Sequence, residues 1–342
     1  MIGGAESFED IALYDRCKRG WLEQFLELPG GIPSHDTFRR VLTLVDPDRF
    51  ERCFLDWVRS VFRTDAAAPV QIAIDGKTVR RSFDRQDGRS PLHLVSAFAV
   101  EHGLVLAQRA AEAKKGELSV LPGLLDGLDL HGCLVSLDAL ACRPDVAEKI
   151  TARGGDYLLV LKGNQKKAHA AVSNWFAANA FTRGATLRPC FDAFDEGHGR
   201  LVRRRVFACT GLEPFAALQP WPGLVTVLAV ENIRSLNGSG KVTAEIRYYL
   251  SSSKQPPEQL AVAIRGHWSI ENGLHWVLDV VPDEDGARNR EDHGPENLAL
   301  LRRLALNPAR LEPSQGSPRG RLKRAGWDDA SLAQLLTQFA HP

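Results

Sequence analysis

The segment QIAIDGKTVRRSF constrains the fold of this chain more than any other stretch. Its alternating apolar residues Ile72 and Ile74 predict a buried strand, which ends on a single acid, Asp75, and breaks at Gly76. A carboxylate at the end of a buried strand is costly unless it meets a cation or a hydrogen-bond donor. A second segment, GCLVSLDAL, repeats this design and ends on Asp138. Two strands that each bring one Asp to the same sheet edge can build a divalent metal site for phosphoryl transfer.

The segments around these two acids alternate between strand and helix patterns. Residues 71–180 read as strand, strand, strand, helix, strand, helix, strand and helix, with a hairpin that turns at 101–103. Antiparallel strands followed by strand–helix crossovers imply a mixed sheet with helices on both faces. This is the order of the ribonuclease H fold, in which the first and fourth strands each end on an active-site Asp.

The flanking regions have different patterns. Residues 1–65 predict an N-terminal helical region, and TDAAAP, which follows it, resembles a linker. Residues 66–312 form the predicted catalytic domain, with a β-rich insertion at about 189–250 and one long helix after Pro256 and Pro257. Residues 313–342 are a tail that contains a short amphipathic helix.

Composition narrows the class of protein. The 342 residues are 44% hydrophobic and 25% charged, which is typical of a globular protein and not of a disordered one. There is no apolar run of membrane-spanning length and no pattern of a signal peptide, so we expect a cytoplasmic protein. The six cysteines include no C-x-x-C pair, which favours buried, reduced thiols. A net charge of +1 gives no global sign of nucleic-acid binding, although basic residues form local clusters.

A third acid for such a site is Glu271, in the predicted helix HWSIENGLHW. His267 and His275 lie four residues before and after it, on the same helix face. In one interpretation Glu271 completes a metal site with the two strand-end acids, and in the other the histidines bind zinc. The zinc interpretation is weaker because the pattern H-E-x-x-H is absent. For each histidine alone, a hydrogen-bonded core position is the better interpretation.

At this point the chain resembles a known family. It is similar to DDE transposases of the H-repeat-associated kind, from ISAs-type insertion sequences. The matching segments span nearly the whole chain and include GAESFEDIA, GIPSHDTFRRV, AIDGKTVR, LDALAC, GDYLLVLKGNQ, IRGHWSIENGLHWVLDV and PENLALLRRLALN. The resemblance implies a ribonuclease H-like domain that cleaves and joins DNA strands at transposon ends with two Mg²⁺ ions, for which Mn²⁺ can substitute. By position, the DDE triad is Asp75, Asp138 and Glu271.

The resemblance also implies partners. These are double-stranded DNA, both the terminal repeats of the element and the target, in the bacterial cytoplasm at the nucleoid, and a homodimer is one assembly it allows. The predicted DNA contacts are Lys77, Arg80, Arg81, Lys162, Asn164, Lys166, His198, Arg200, Arg265 and His267. Ordinary turns explain 162–164 and 198–200 equally well.

Two departures from the family keep a second function open. The chain starts at MIGGAESFED, where relatives carry a further helical stretch, so we expect a truncation that exposes an apolar patch near residues 1–30. Wider relatives carry tyrosine, arginine and lysine around the glutamate, where this chain has Ile264, His267 and Leu278. The alternative is therefore a truncated or domesticated DNA-binding remnant without transposition activity.

Overall fold

The computed structural model of the protein describes residues 1–62, 70–84, 88–111, 116–197, 200–236 and 242–339. Its α-helices are α1 (Phe8–Cys17), α2 (Arg19–Leu22), α3 (His35–Leu44), α4 (Pro47–Val61), α5 (Glu117–Gly127), α6 (Pro144–Ala152), α7 (Lys166–Ala180), α8 (Pro257–His267), α9 (Trp276–Val280), α10 (Gly294–Leu311), α11 (Pro318–Trp327) and α12 (Asp329–Leu336). Its strands are β1 (Gln71–Thr78), β2 (His93–Ala99), β3 (Leu104–Ala111), β4 (Leu134–Leu137), β5 (Asp156–Leu161), β6 (Phe191–Gly197), β7 (Arg200–Cys209), β8 (Thr226–Leu236) and β9 (Val242–Ser251). A π-helical turn, Glu271–His275, lies between α8 and α9.

The chain divides into two compact units, each built from separate stretches of sequence. The first unit contains Met1–Asp65, Gly76–Leu128 and Ile270–Pro342, and the second contains Ala66–Asp75 and Asp129–Ser269. The division falls inside β1, immediately after Asp75.

The second unit is built on a mixed sheet with the strand order β1-β4-β5-β9-β8-β7-β6. Strands β1, β4 and β5 are parallel, and the remaining neighbours are antiparallel. The parallel strands are buried along their length, with Ile72, Val135 and Leu159 each 0% exposed, as expected of strands covered on both faces. The predicted mixed α/β fold is confirmed, and β6–β9 supply the predicted β-rich segment.

The first unit packs helices against a hairpin. Strands β2 and β3 pair antiparallel across a turn that ends at Gly103, whose positive φ of 68° favours glycine. Helices α3 and α6 begin as predicted. The side chain of Ser34 accepts from the Thr37 N–H at 3.3 Å, and Pro144 occupies the first turn of α6. Helix α5 continues through Pro122, also as predicted.

An apolar groove of about 480 Å³ lies in the first unit. Ile11, Trp21 and Phe38 line it together with residues of α10 and α12. Phe25 is 63% exposed and Leu26 is 52% exposed in the same N-terminal region. The origin of this apolar surface in a truncation stays a prediction.

Several other predictions can be compared with the structure. All six cysteines are free thiols, but the predicted burial is wrong for Cys17 and Cys53, which are exposed, and holds fully only for Cys133 and Cys142. Within the described residues, none of the helices has the length and apolar character needed to cross a membrane. The predicted linker TDAAAP lies outside the described residues, and the predicted domain boundaries stay predictions.

Candidate active site

Strands β1 and β4 bring two of the predicted acids to the end of their paired segment, although β1 itself continues to Thr78, so the predicted break of the strand at Gly76 is wrong. The parallel register pairs Ile72 with Val135 and Ile74 with Leu137, so Asp75 and Asp138 follow at equivalent positions. Both are partly buried. Two carboxylates therefore occupy neighbouring positions at the edge where ligands of open α/β sheets bind.

The loop that follows Asp138 is fixed by hydrogen bonds. Oδ1 of Asp138 accepts from the Leu140 N–H at 2.9 Å. Nδ2 of Asn164 donates to the Ala139 carbonyl at 2.7 Å, and Nε2 of Gln165 donates to the Cys142 carbonyl at 2.9 Å. Asn164, a predicted DNA contact, thus holds the loop beside Asp138. This hydrogen bond joins residues 25 positions apart and gives Asn164 a structural role in the turn between β5 and α7.

Gly76 has a steric reason to be glycine. A Cβ there would lie 2.2 Å from Oε1 of Glu117 and 2.6 Å from Nε2 of His93. These two atoms are themselves 2.8 Å apart. Any side chain at position 76 would displace this pair from the end of β1.

Lys77, a predicted DNA contact, is buried beside acidic side chains. Its Nζ is 2.7 Å from Oδ1 of Asp279 and 3.0 Å from Oδ1 of Asp285, and the residue is 8% exposed. A buried ammonium between two carboxylates is not available to a phosphate, so Lys77 is removed from the predicted DNA contacts. Arg80 and Arg81 are exposed, and Arg80 also pairs with Asp285, at 3.2 Å.

His267 is also a correction. Its Nδ1 is 3.1 Å from Oγ of Ser136, and Nε2 of Gln71 reaches the same Oγ at 2.9 Å and the Ala263 carbonyl at 2.8 Å. All three side chains are buried. This chain of hydrogen bonds ties α8 to β1 and β4, so His267 is a core histidine and not a DNA contact.

Glu271 opens the π-helical turn and is exposed. Its Oε2 lies 3.6 Å from Nδ1 of His275, which is buried. Burial lowers the pKa of His275 to about 4, an effect that the charge of Glu271 opposes, so the imidazole is neutral at pH 7. The prediction of one long helix through this segment is wrong, because the π-helical turn separates α8 from α9. The convergence of all three acids stays a prediction.

A second feature of the site is an arginine groove of about 550 Å³ in the second unit. Five arginines line it, namely Arg200, Arg204, Arg234, Arg247 and Arg265. The exposed Trp268 completes one wall, with the guanidinium of Arg247 5.5 Å from its ring centroid. The acids Asp195 and Glu196 also line the groove, so the positive charges exceed the negative ones.

Three of the five groove arginines are paired with acids: Arg265 with Asp195, and both Arg234 and Arg247 with Glu245. Among the described residues, Arg200 and Arg204 form no ion pair with a carboxylate, and Nε of Arg204 donates to Oδ1 of Asn232 at 3.1 Å. Burial and the neighbouring charges of Arg265 and Arg247 lower the pKa of Arg204. Arginine nevertheless stays charged, so the groove holds like charges together, an arrangement that a bound polyanion would relieve.

The predicted DNA contacts have different surroundings. Arg200 and Arg265 line the arginine groove, where Nη1 of Arg265 contacts Oδ2 of Asp195 at 3.0 Å. Lys162 and Lys166 are exposed, and His198 lies outside the described residues. Sequence analysis missed Arg234 and Arg247, and it included Arg204 only as part of the basic run 200–205, which we expected to face DNA. The period-two alternation along β7 could have found Arg204, because Arg200, Val202 and Arg204 share one face.

Comparison with known proteins adds an independent line of argument. The family described as Transposase DDE domain matches residues 67–307, and a second one, described as DDE_Tnp_1-associated, matches residues 1–58. The H repeat-associated putative transposase YhhI and the protein YbfL, both of Escherichia coli (strain K12), are each 34% identical over 343 residues. Each alignment covers 98% of this chain and 89% of the relative. A cryo-EM structure of a piggyBac transposase synaptic complex with hairpin DNA aligns with a TM-score of 0.43 at 8% identity, over 81% of this chain and 55% of that one.

Proposed function

The chain belongs to the DDE transposase family, and we propose that it cleaves DNA strands at the ends of an insertion sequence and joins them to target DNA. The observation that carries this proposal is the parallel register of β1 and β4, which sets Asp75 and Asp138 side by side within the matched domain. Family membership supports a transposase-type nuclease, and the register supports a site for its chemistry.

We propose that Asp75, Asp138 and Glu271 hold the divalent metal. Carboxylate oxygens are hard ligands that suit Mg²⁺, with Mn²⁺ as a substitute. The donor set fits, because Asp75 and Asp138 are partly buried at one sheet edge and Asp138 uses only Oδ1 for the Leu140 N–H. When bound, such ions activate the attacking oxygen and stabilise the leaving oxygen of an in-line displacement at phosphorus.

The remaining residues of the site orient these acids. The Leu140 N–H fixes one oxygen of Asp138, and Asn164 and Gln165 fix the loop behind it. Water attacks in strand cleavage and a DNA 3′ hydroxyl attacks in strand joining, so no side-chain nucleophile is required.

We propose that duplex DNA contacts the arginine groove and the exposed side chains of Arg80, Arg81, Lys162 and Lys166. Arginine and lysine bind phosphate oxygens without reading sequence, and such contacts fix the register of a protein on its duplex. This partner places the protein in the bacterial cytoplasm, at the nucleoid. Pairing of two element ends would be served by a homodimer.

A plasmid that carries the terminal repeats of the element tests the proposal. Incubated with the full chain, it should be nicked or cut in Mg²⁺ and left intact in EDTA. Asp75→Asn, Asp138→Asn and Glu271→Gln should each lower the cleavage rate by about 100-fold or more, since each removes a charged ligand. Glu148→Gln, which neutralises an exposed acid of α6, is the matched control and should cleave like the wild type.

Two outcomes would overturn this function. Cleavage that persists in EDTA would exclude the metal-dependent reaction. DNA binding without cleavage of a repeat-bearing plasmid in either metal would favour the alternative, a DNA-binding remnant.

A further inference from the structure

One face of α10 carries polar side chains that each bind a specific partner within the protein. Arg303, Asn307 and Arg310 are spaced i, i+4 and i+7, so they lie along one stripe of the helix. Arg303 pairs with Glu284, and both are 0% exposed. Asn307 brackets the backbone of Val105, accepting from its N–H at 3.0 Å and donating to its carbonyl at 2.8 Å. Each of these polar groups thus replaces water with a fixed partner.

Arg310 joins three parts of the first unit. Its Nη1 donates to the Gly103 carbonyl at the β2–β3 turn, and its Nη2 donates to the Gly273 carbonyl inside the π-helical turn. Its guanidinium lies 5.2 Å from the ring centroid of Phe98. Burial lowers the pKa of Arg310 to about 10, so the group is still protonated at neutral pH and both donors are present.

The π-helical turn has little freedom at Gly273. A Cβ at this position would lie 3.1 Å from Cζ of Phe98, closer than an ordinary van der Waals contact. π-Helical turns inside α-helices are rare and occur frequently at functional sites. Here the turn contains Glu271 itself, two residues before the carbonyl that Arg310 binds.

We propose that Arg310 is a positioning residue: by binding the Gly273 carbonyl it fixes the π-helical turn and so sets the direction of the Glu271 carboxylate for metal binding. The inference rests on the proposed function, because it requires Glu271 to be a metal ligand. Partners that orient the ligands of a metal commonly change its affinity by about 10–100-fold.

Lysine cannot replace this arginine. The guanidinium presents several N–H donors in a planar fork, which lets Nη1 and Nη2 bind two carbonyls at once, whereas an ammonium is a single point charge on a flexible stem. Arg310→Lys therefore keeps the charge and loses the bridge between Gly103 and Gly273.

The test measures Mn²⁺ binding to the full-length protein by isothermal titration calorimetry, alongside thermal unfolding. Arg310→Lys should weaken Mn²⁺ binding by about 10-fold or more. Asn307→Ala is the matched control, because Asn307 lies on the same face of α10 and binds the same hairpin, while no hydrogen bond joins it to the π-helical turn among the described residues. It should bind Mn²⁺ within about twofold of the wild type even where its loss of thermal stability equals that of Arg310→Lys.

Gly273→Ala is a second test of the π-helical turn, in which Arg310 itself is left unchanged. The added methyl group meets Phe98, so Mn²⁺ binding should weaken, and Phe98→Leu in the same chain should restore part of it by making room. If Arg310→Lys does not fold, this pair of variants decides the question.

The outcomes separate the two proposals. If Glu271→Gln leaves Mn²⁺ binding unchanged, the proposed function fails. If Glu271→Gln weakens Mn²⁺ binding but Arg310→Lys and Gly273→Ala do so no more than Asn307→Ala, the metal site stands and the positioning role of Arg310 is wrong.

Discussion

The arginines of the β-rich segment and those of α10 have the same side chain in different surroundings, a solvent-accessible groove in one case and the protein interior in the other. In α10, Arg303 is 0% exposed and Glu284 neutralises it, while Arg310 gives its donors to two backbone carbonyls. In the arginine groove, Arg200 and Arg204 have no carboxylate partner among the described residues, and Arg200 is exposed. The interior arginines are committed to the fold, whereas Arg200 and Arg204 have no paired acid that would compete with a ligand, unlike the other three groove arginines.

The same contrast exists between the two faces of β7. Arg203 and Arg205 point away from the groove and pair with Asp192 and Glu231, at 2.6 Å and 2.5 Å. Arg200 and Arg204, on the alternate positions, line the groove. A count of basic residues in RLVRRRVF would treat all of them as one cluster. The partner of each guanidinium, and not its place in the sequence, separates structural arginines from those that a polyanion can reach.

The largest effect should come from the interior pair. Arg303→Met leaves the buried Glu284 with the more distant Lys77 Nζ, at 4.0 Å, as its remaining cation among the described residues, so the free energy of unfolding should fall by about 3–5 kcal/mol, as measured by urea denaturation. The double variant Arg303→Met with Glu284→Met removes both charges and should recover much of the loss. An equal loss in the single and double variants would contradict this account. Arg203→Met, at a solvent-exposed pair, should change the free energy of unfolding far less than Arg303→Met does.

A smaller effect in free energy should appear in DNA binding. Arg200→Gln with Arg204→Gln removes two groove charges, so affinity for a short duplex should fall roughly tenfold at low salt, and the salt dependence should weaken by about two units of slope. Arg203→Gln with Arg205→Gln alters the opposite face and is the matched control. Fluorescence anisotropy at several salt concentrations measures both quantities. Equal losses from the two pairs would mean that the groove is not the DNA-binding surface.

The smallest effect concerns Glu51, a buried acid whose arginine partner, Arg109, is itself partly exposed. Arg109 lies 3.1 Å from its Oε2 and favours the charged form, but burial outweighs this and raises the pKa of Glu51 to about 7. Since its ordinary value is 4.5, the folded protein binds the extra proton between these values, and the stability that this proton provides is lost as pH rises through about 7. The stability of the wild type relative to Glu51→Gln should therefore fall by about 1–2 kcal/mol from pH 4.5 to pH 8 in thermal unfolding. A difference that stays constant over this range would show that the ion pair with Arg109 dominates.

Strands β1 and β4, and the acids that end their apolar runs, could be predicted because their sequence signals are local. Alternating or continuous apolar residues identify β1 and β4, and Asp75 and Asp138 interrupt those runs at their ends. The parallel register then follows from the order of strands and helices. The hairpin turn at Gly103 and the caps at Ser34 and Pro144 are equally local.

The remaining features depend on partners that are distant in sequence. Lys77 is buried by Asp279 and Asp285, about 200 positions further along the chain, so its neighbours in sequence gave no sign of this. The π-helical turn at Glu271–His275 is associated with the contact between Gly273 and Phe98, which a helical apolar pattern cannot reveal. The two histidines that looked equivalent around Glu271 have different surroundings, because His267 bonds to Ser136 and His275 lies beside Glu271.

The division of the chain has a consequence for its synthesis on the ribosome. The second unit is complete once residue 269 has been made, whereas the first unit needs its final stretch, Ile270–Pro342. Because nascent chains fold from the N-terminus as they emerge, the second unit can acquire its sheet and both strand-end acids first. Glu271 and the helix α10 that braces its turn come last. An unfinished chain would therefore display the arginine groove with Asp75 and Asp138 but without Glu271, so under the proposed function it could not yet cut DNA.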